Sequence, residues 1–584
     1  MCGIFGIVGR NLPSDEAFLS SLRTIKHRGP DDFSAFRIDR ELIFGHARLA
    51  IIDLSEASNQ PFLTDCTVLA YNGEIYNYRE VRAALQKLGH SFSTSGDTEV
   101  VARAFEQWGD ACFEKLHGMF AIAIYDKKTK TLSLARDRFG IKPLYVREQG
   151  DTVSFASETK PLLRLGPRAI NPDVLQEITL WGFPLSQNSF FADLSQVAPG
   201  EVISFSGGSV HRRFWAQDTA ETKRWWNEFG LRKVLDQSVS DHMVADVPVA
   251  IALSGGLDSS IVAALAARQR GDLVAFTTTF SDRDDDEVEY ARIVAKHCGI
   301  EHRVIRLPAG DFEQTLRSIL HHVEEPLANP NVFPTFGLSK VIRDNGFKVI
   351  LMGEGSDEIF AGYPWHRAAQ EDNASTRSMY EHYRRRRAQP GAVAYLRAPV
   401  AKALAAREGE FLSVFEKRAL GTKLDTMLSF ERAYQMQFAQ LLRVDKMMMA
   451  HSVEARVPYL YSSVLQAANR LPDKRKIDIS PKNRGRLDKI ALADLARKLL
   501  PAQVADRPKF GKGGTVNLWE TPLMTNLDAV ADKMLTSDEY RISREYLSEW
   551  INWNAVKGTS AKHLFTLISL ITATDIHVVA GNRE

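Results

Sequence analysis

The sequence predicts an α/β protein in two parts: stacked sheets with helices outside them, then a parallel-sheet α/β unit with a mostly helical C-terminal part. Three observations carry this. Residues 1–210 are dense in short β-like runs. The texture changes after a hairpin-like stretch at 201–205. Beyond it, helical patterns are broken by apolar strand runs at 248–253, 273–279 and 348–352.

In the first part the runs fall at 42–44, 67–70, 120–125, 132–135 and 153–156, separated by glycine and charged turns, with a helical segment from Thr98 to Trp108. Pro199-Gly200 leads into the last strand, so the boundary is expected between Phe205 and Ala220, giving units of 1–210 and 211–584. In the second part strand alternates with helix, the signature of a parallel sheet. The C-terminal stretch reads as helical, with basic loops near 482–489 and 507–512.

Composition narrows the function classes. Hydrophobic content of 44% and charged content of 25% are those of an ordinary globular chain, and a net charge of +2 gives no electrostatic reason to expect nucleic acid or a membrane as partner. The basic run Arg384 to Arg387, followed by Gln389-Pro390, reads as a solvated helix end. No run of 18 apolar residues occurs, and the opening apolar run is too short for a signal-peptide core. Cys2, Cys66, Cys112 and Cys298 are scattered without a CxxC pair, which argues against a zinc site or disulfide framework and fits a reducing, cytoplasmic setting. The last three read as structural.

Cys2 differs by position. The chain opens MCGIFGIVG, and loss of the methionine would leave a thiol and a free α-amino group on one residue. An α-amine with a pKa near ~8 is partly neutral and can take the thiol proton without a histidine. By position alone, a small apolar residue at the head of a strand is the better explanation of Cys2. The motifs that follow change the balance: His27-Arg28-Gly29-Pro30-Asp31, Gly45-His46-Ala47-Arg48-Leu49, Tyr71-Asn72-Gly73-Glu74-Ile75-Tyr76-Asn77, Ser95-Gly96-Asp97-Thr98-Glu99 and Arg136-Asp137-Arg138-Phe139-Gly140.

On these motifs the first 200 or so residues resemble the class II glutamine amidotransferase domain, an αββα N-terminal-nucleophile fold. The resemblance implies that Cys2 attacks the side-chain amide of glutamine, with Asn72 and the N–H of Gly73 as oxyanion hole. It implies that Arg48 pairs with the glutamine α-carboxylate, that Ile51 lines the site, and that Glu74 and Asp97 hold the α-ammonium. His27, His46 and His117 read as structural, since the α-amine can serve as base.

The run 247–253 followed by Ser254-Gly255-Gly256-Leu257-Asp258-Ser259-Ser260 and an apolar helix is a strand, glycine-rich loop and helix N-terminus, an arrangement that cradles phosphate. It lacks the Gly-Lys-Ser/Thr ending of a Walker A loop and resembles instead the PP-loop of ATP pyrophosphatases. Gly353-Glu354-Gly355-Ser356-Asp357-Glu358 follows the strand at 348–352. Asp258 and Asp357 would both lie at carboxyl ends of parallel strands, as natural Mg²⁺ ligands beside a triphosphate; a helix N-cap is the plainer role for Asp357.

With Val453-Glu454-Ala455-Arg456-Val457-Pro458, Lys489-Ile490-Ala491-Leu492 and Arg507-Pro508-Lys509-Phe510-Gly511, nearly the whole chain resembles the glutamine-hydrolysing asparagine synthetase family. The resemblance implies that Ser254, Gly255, Gly256, Asp258 and Ser259 surround the pyrophosphate and that Leu253, Thr278, Met352 and Gly353 border the adenosine. Glu354 would assist ammonia attack, Lys489 would neutralise charge on the α-phosphate, and Arg507 and Lys509 would contact pyrophosphate. Glutamine, ATP, Mg²⁺ and a carboxylate acceptor are the implied partners, with a sheltered path for ammonia between the sites. A homodimer is the oligomer left open.

The acceptor is where the sequence departs from the family pattern. Tyr461 stands where aspartate is typical, Asn329-Pro330-Asn331 replaces Asp-Pro-Ser/Ala, and Met352 replaces a common serine. Aspartate leads as acceptor; a uronic-acid sugar, a peptide terminus or a specialised metabolite is the alternative. A glutaminase regulated by an inactive second half, and a non-enzymatic scaffold, are disfavoured by the two complete motif sets. Cys2 disfavours the β-lactam synthetase relatives.

Overall fold

The protein is described by a computed structural model covering residues 2–221, 223, 228–280, 286–308, 310–370, 375–387, 390–480, 488–507, 521, 524, 526–556 and 560–580. Lys509 and most of the two expected basic loops lie outside the described residues.

The first unit is built from two antiparallel six-stranded sheets. One contains β1 (Gly3–Val8), β2 (Asp32–Arg37), β3 (Leu42–Arg48), β8 (Tyr145–Gln149), β9 (Thr152–Ala156) and β10 (Ser195–Gln196), in the order β10-β8-β9-β1-β3-β2. The other contains β4 (Phe62–Leu63), β5 (Thr67–Ile75), β6 (Gly118–Asp126), β7 (Thr131–Arg136), β11 (Glu201–Ser206) and β12 (Ser209–Phe214), in the order β12-β11-β7-β6-β5-β4.

Strand alternation explains the layers. In β1, Ile4 turns inward to an inter-sheet core with Phe44, Val68 and Ala121. Phe5 and Ile7 turn outward to the helix Asp15–Arg23, where Phe5 stacks on Phe18 at 4.5 Å. On the second sheet Leu69 and Tyr71 turn outward to the helices Tyr78–Lys87 and Thr98–Trp108. The result is the expected αββα sandwich. Strand β12 carries its sheet past residue 210, and Trp215 then closes it, its N–H donating to Gly200 O (2.8 Å) and its Nε1 to Arg136 O (3.2 Å).

The second unit holds a five-stranded parallel sheet of β13 (Val249–Ala252), β14 (Val274–Thr279), β15 (Glu301–Arg306), β16 (Val349–Leu351) and β17 (Glu454–Arg456), in the order β15-β14-β13-β16-β17. The chain first builds outward from β13 through β14 to β15, then returns to add β16 on the other side. The crevice between the carboxyl ends of β13 and β16 is therefore a topological switch point, where open α/β sheets bind ligands. Helices fill most of the remainder. The run at 384–387 ends the helix Thr376–Arg387, as expected. Among the described residues no helix is long and apolar enough to cross a membrane.

The units meet through paired charges, one buried (Glu324) and one at the surface (Asp246). Glu324 accepts from the backbone N–H groups of Thr159 (3.0 Å) and Lys160 (2.8 Å) and from Lys446 Nζ (2.6 Å). Asp246 accepts from Asp53 N (2.8 Å), and its own N–H donates to Ile51 O (2.9 Å). Desolvating a buried carboxylate such as Glu324 costs several kcal/mol unless it is paired, and here it is.

Candidate active sites

Cys2 precedes β1 and is nearly buried, with 7% of its surface exposed. Its backbone N–H donates to Asn72 Oδ1 (2.9 Å), which fixes the orientation of the Asn72 amide. Asn72 Nδ2 is then left buried with no hydrogen-bond partner among the described residues. An orphaned buried donor is costly, so its presence beside a thiol marks a place where an oxygen is to arrive. Burial raises the Cys2 thiol above its ordinary pKa, against the pull of the Leu49 backbone hydrogen bond and the Arg48 charge, so activation needs a base at hand.

Gly73 follows with φ +153°, and a Cβ there would sit 2.1 Å from Met119 O, so only glycine fits. On the edge of β5 that carries Gly73, the N–H of Tyr71 donates to Gln60 Oε1 (2.6 Å) and that of Ile75 to Asp97 Oδ2 (3.0 Å). Glu74 and Asp97 are both buried, and both carboxyls are held above the ordinary carboxylate range. For Glu74 the causes are burial, then the neighbouring Glu454. For Asp97 burial outweighs its bonds from Ile75 N–H and the Tyr71 hydroxyl (2.9 Å). Glu74 Oε2 is buried without a hydrogen-bond partner among the described residues, and Oε1 faces Arg456 Nη2 at 3.5 Å. Two buried acids with too little positive charge are complementary to an ammonium group.

Arg48 is tied by Nη1 to Ser55 O (2.8 Å) and Asn59 Oδ1 (2.6 Å) and by Nη2 to Asp53 O, which sets its guanidinium beside Cys2. Ile51 lies in the same loop, its carbonyl held by Asp246 of the second unit. Of the expected glutamine-site residues, Cys2 is thus bonded to Asn72, Gly73 and Glu74 follow Asn72 on β5, and Asp97 bonds the end of that strand at Ile75. The histidines are structural: His46 Nε2 pairs with Tyr71 O (3.2 Å), and burial pulls its pKa down to about 3. His27 pairs with Glu158 Oε1 (3.1 Å), and His117 packs edge-on against Tyr461.

At the switch point, Ser254 and Ser259 lock the glycine-rich loop through their hydroxyls (3.0 Å), and Ser254 Oγ accepts from Gly256 N (3.3 Å). The helix Leu257–Ala267 starts there, and its first-turn N–H groups have no acceptor within the helix. Leu253 follows β13 directly, Thr278 is the second-last residue of β14, and Gly353 packs so tightly on the loop that a Cβ would lie 3.0 Å from Ser259 N. Met352 N donates to Arg456 O (2.8 Å). Arg507 reaches Gly255 O (3.2 Å) and lies over Tyr290.

Lys489 is the centre of charge. Its Nζ bridges Asp258 Oδ2 (2.6 Å) and Asp357 Oδ1 (2.7 Å); burial opposes its charge, and the two carboxylates keep it protonated. It stands at φ +47°, an uncommon conformation for a lysine, at the start of the helix Ile490–Leu499. A Cβ on Gly362 would fall 1.7 Å from Asp357 Oδ1 and 2.1 Å from Lys489 Cε, so this close approach requires glycine. Glu354 has its pKa raised to about 7 by burial first and then by Asp357 and Asp258, which suits proton transfer near neutrality. Two carboxylates within reach of one cation fall short of a full octahedral shell. No group of three or more His, Cys, Asp or Glu among the described residues could hold a metal alone. The pair therefore fits a Mg²⁺ that shares its other positions with phosphate oxygens and water.

Several residues had no assigned role in the sequence reading. Tyr459 donates its hydroxyl to Asp258 O (3.1 Å) and Ser356 to Asp258 Oδ1 (2.9 Å). Glu358 accepts from Tyr363 Oη (2.6 Å) and from Gln440 Nε2 (2.7 Å), which projects from the π-helix Arg432–Leu441, a form of helix often found at functional sites. Tyr461, the most visible departure from the family pattern, spends its ring on the boundary between units, with Tyr76 at 6.2 Å, His242 at 5.6 Å and His117 at 6.1 Å. Asn329 Oδ1 accepts from Asn331 N (3.1 Å) in the turn before the helix Val332–Asp344.

Comparison with known proteins gives two family matches. Residues 230–575 match the family model described as asparagine synthase, and residues 1–216 match that of a glutamine amidotransferase domain. The chain is similar to asparagine synthetase (glutamine-hydrolyzing) 1 of Bacillus subtilis strain 168, 29% identical over 99% of this chain and 97% of the relative. It is also similar to asparagine synthetase B (glutamine-hydrolyzing) of Escherichia coli K12, 28% identical over 93% of this chain and 87% of the relative. Among solved structures, a glutamine phosphoribosylpyrophosphate amidotransferase from B. subtilis is 17% identical over 60% of this chain and 74% of that chain, with a TM-score of 0.28. A likeness that low carries no argument, and the fold rests on the strand order above.

Proposed function

This chain belongs to the asparagine synthase family, and on that footing we propose that it is an ATP-dependent carbon–nitrogen ligase. It takes nitrogen from glutamine at Cys2 and delivers it to a carboxylate activated at the switch-point site. L-Aspartate is the leading acceptor, giving L-asparagine, AMP and pyrophosphate. The observation that carries the reading is the coexistence, in one packed body, of a buried thiol beside an orphaned amide donor and a lysine clamped between two acids at a switch point.

In the first site, Cys2 Sγ attacks the glutamine amide carbon. Once Met1 is removed, the nitrogen that Asn72 Oδ1 holds is the α-amine, which takes the thiol proton and returns it to the leaving ammonia. Asn72 Nδ2 and Gly73 N–H receive the developing oxyanion, and water then releases glutamate from the thioester. Arg48 would pair with the substrate carboxylate and the Glu74–Asp97 pair with its ammonium.

In the second site, an acceptor carboxylate oxygen attacks the α-phosphorus of ATP and pyrophosphate leaves. The loop at 254–259 and Lys489 offset the charge that builds on the phosphates. Ammonia then attacks the acyl carbon, Glu354 takes a proton from the incoming nitrogen, and AMP departs. Asp258 and Asp357 would hold Mg²⁺, which when bound supplies charge neutralisation on the leaving pyrophosphate. Protonation in bulk water would remove ammonia's nucleophilicity, so the buried boundary between the sites suits its transfer. A cytoplasmic setting is proposed from the free cysteines.

Asn329, Asn331 and Met352 favour a second reading in which the same chemistry acts on another carboxylate. The test is pyrophosphate release from ATP, Mg²⁺ and glutamine with aspartate, a uronic-acid sugar or a free peptide terminus as acceptor. Aspartate should stimulate release and become asparagine. If it does neither while another acid does, the acceptor assignment fails and the ligase reading stands.

A further inference from the structure

Arg28 lies at the boundary between the units, and its guanidinium is divided three ways. Nε donates to the carbonyl oxygen of Cys2 (3.1 Å), Nη1 to Glu158 Oε1 (2.9 Å) and Nη2 to Asp445 Oδ2 (2.8 Å). The side chains of Arg28 and Glu158 are 0% exposed and that of Asp445 is 2% exposed. Cys2 and Glu158 belong to the N-terminal sandwich, but Asp445 comes from the helix Leu442–Met449 of the second unit.

Cys2 stands outside the β1 ladder, whose pairing begins at Gly3 with Ala47. Its backbone is therefore held by two side chains: Asn72 on the N–H and Arg28 on the carbonyl. Glu158 alone cannot fix the guanidinium, because it is also claimed by Lys160 Nζ (2.5 Å) and His27 Nε2 (3.1 Å). Among the described residues Asp445 faces one other cation at close range, Lys142 Nζ at 3.6 Å. Its helix is in turn pinned by Lys446, whose Nζ donates to Val323 O (2.8 Å) and Glu324 Oε2 (2.6 Å).

We propose that Asp445 is a positioning residue for Cys2: by orienting Arg28 it sets the nucleophile opposite Asn72, so the glutamine site is complete only with the second unit docked. A planar guanidinium with two fixed carboxylates has one orientation; with one shared carboxylate it can rotate off the Cys2 carbonyl. This rests on the reading of Cys2 as the glutamine nucleophile.

The test is Asp445→Asn in the full chain. Glutaminase kcat should fall about tenfold with KM for glutamine nearly unchanged, because binding groups stay in place and only the attack geometry loosens. Labelling of Cys2 by a diazoketone analogue of glutamine should slow by the same factor, and pyrophosphate release driven by added ammonia should be unchanged. Asp445→Glu, which keeps the charge, should recover most of the kcat. Unchanged glutaminase kcat in Asp445→Asn overturns the proposal, as does an equal loss of both activities, or an Asp445→Glu variant as impaired as Asp445→Asn. A parent protein that does not hydrolyse glutamine sinks the reading of Cys2 instead.

Discussion

The sandwich and the parallel-sheet unit prepare their chemistry by opposite means. Around Cys2 the preparation is geometric: two side chains hold one residue's backbone, and the Asn72 side-chain amide keeps a buried donor with no partner among the described residues. Around Lys489 it is electrostatic: an ammonium and two carboxylates hold one another in balance, and two further acids, Glu354 and Glu358, have their pKa values raised to about 7 and about 8, chiefly by burial. The first site needs a neutral amide and builds charge only in the transition state, so fixed dipoles serve it. The second must admit a polyanion, so its charges have to be mobile between protein partners and ligand.

The largest expected effect separates the halves outright. Cys2→Ala should abolish glutamine-driven synthesis and leave ammonia-driven pyrophosphate release intact; loss of both would contradict two independent sites. Asp258→Ala should do the reverse, removing pyrophosphate release while glutamine hydrolysis persists. Next in size, Asn72→Ala should lower glutaminase kcat by about a hundredfold to a thousandfold, the usual cost of an oxyanion donor, with little change in the pH dependence of the synthetase half.

Glu354 sharpens the contrast through pH. With its pKa raised to about 7 by burial and by Asp357 and Asp258, it is a base only when deprotonated. At a fixed concentration of unprotonated ammonia, the rate should fall about tenfold per pH unit below that value. Glu354→Gln should be slow and flat across the same range, measured as pyrophosphate release.

The smallest effects concern stability. His46, His242 and His577 are buried, and burial lowers each pKa to about 3. The unfolded chain binds protons at these sites below about pH 6.5, and the folded chain does not until about pH 3. Stability is therefore full above the unfolded value and declines as pH falls, by about 2 kcal/mol per histidine at pH 5. A melting temperature that holds steady from pH 7 to pH 5 would show these histidines to be less constrained than the structure has them.

Much of this was legible in the chain. The helix Thr98–Trp108 matches its periodicity, and the apolar runs at 248–253, 273–279 and 348–352 became β13, β14 and β16, because local apolar pattern and turn chemistry suffice to specify such elements. The short strand β17 and the half-polar β15 escaped, since three residues carry no period and Glu301–Arg306 lacks a buried run. The seven residues proposed for the glutamine site could be named because they sit in compact motifs. Arg28 stood inside one of those motifs without a role, and nothing near Asp445 marks it in sequence.

What the sequence determined by itself is the chemistry available: a thiol next to Met1, a glycine-rich loop between strand and helix, and two acids that follow parallel strands. These are short-range features in which neighbouring residues do the work together. What only the tertiary structure decided is how they are completed. Lys489 reaches Asp258 across 231 residues and Asp445 reaches Arg28 across 417, and Tyr461 turns to the boundary between units. Such contacts depend on where the chain returns in space, and ion pairs of this kind have no periodicity or spacing that a linear sequence could display.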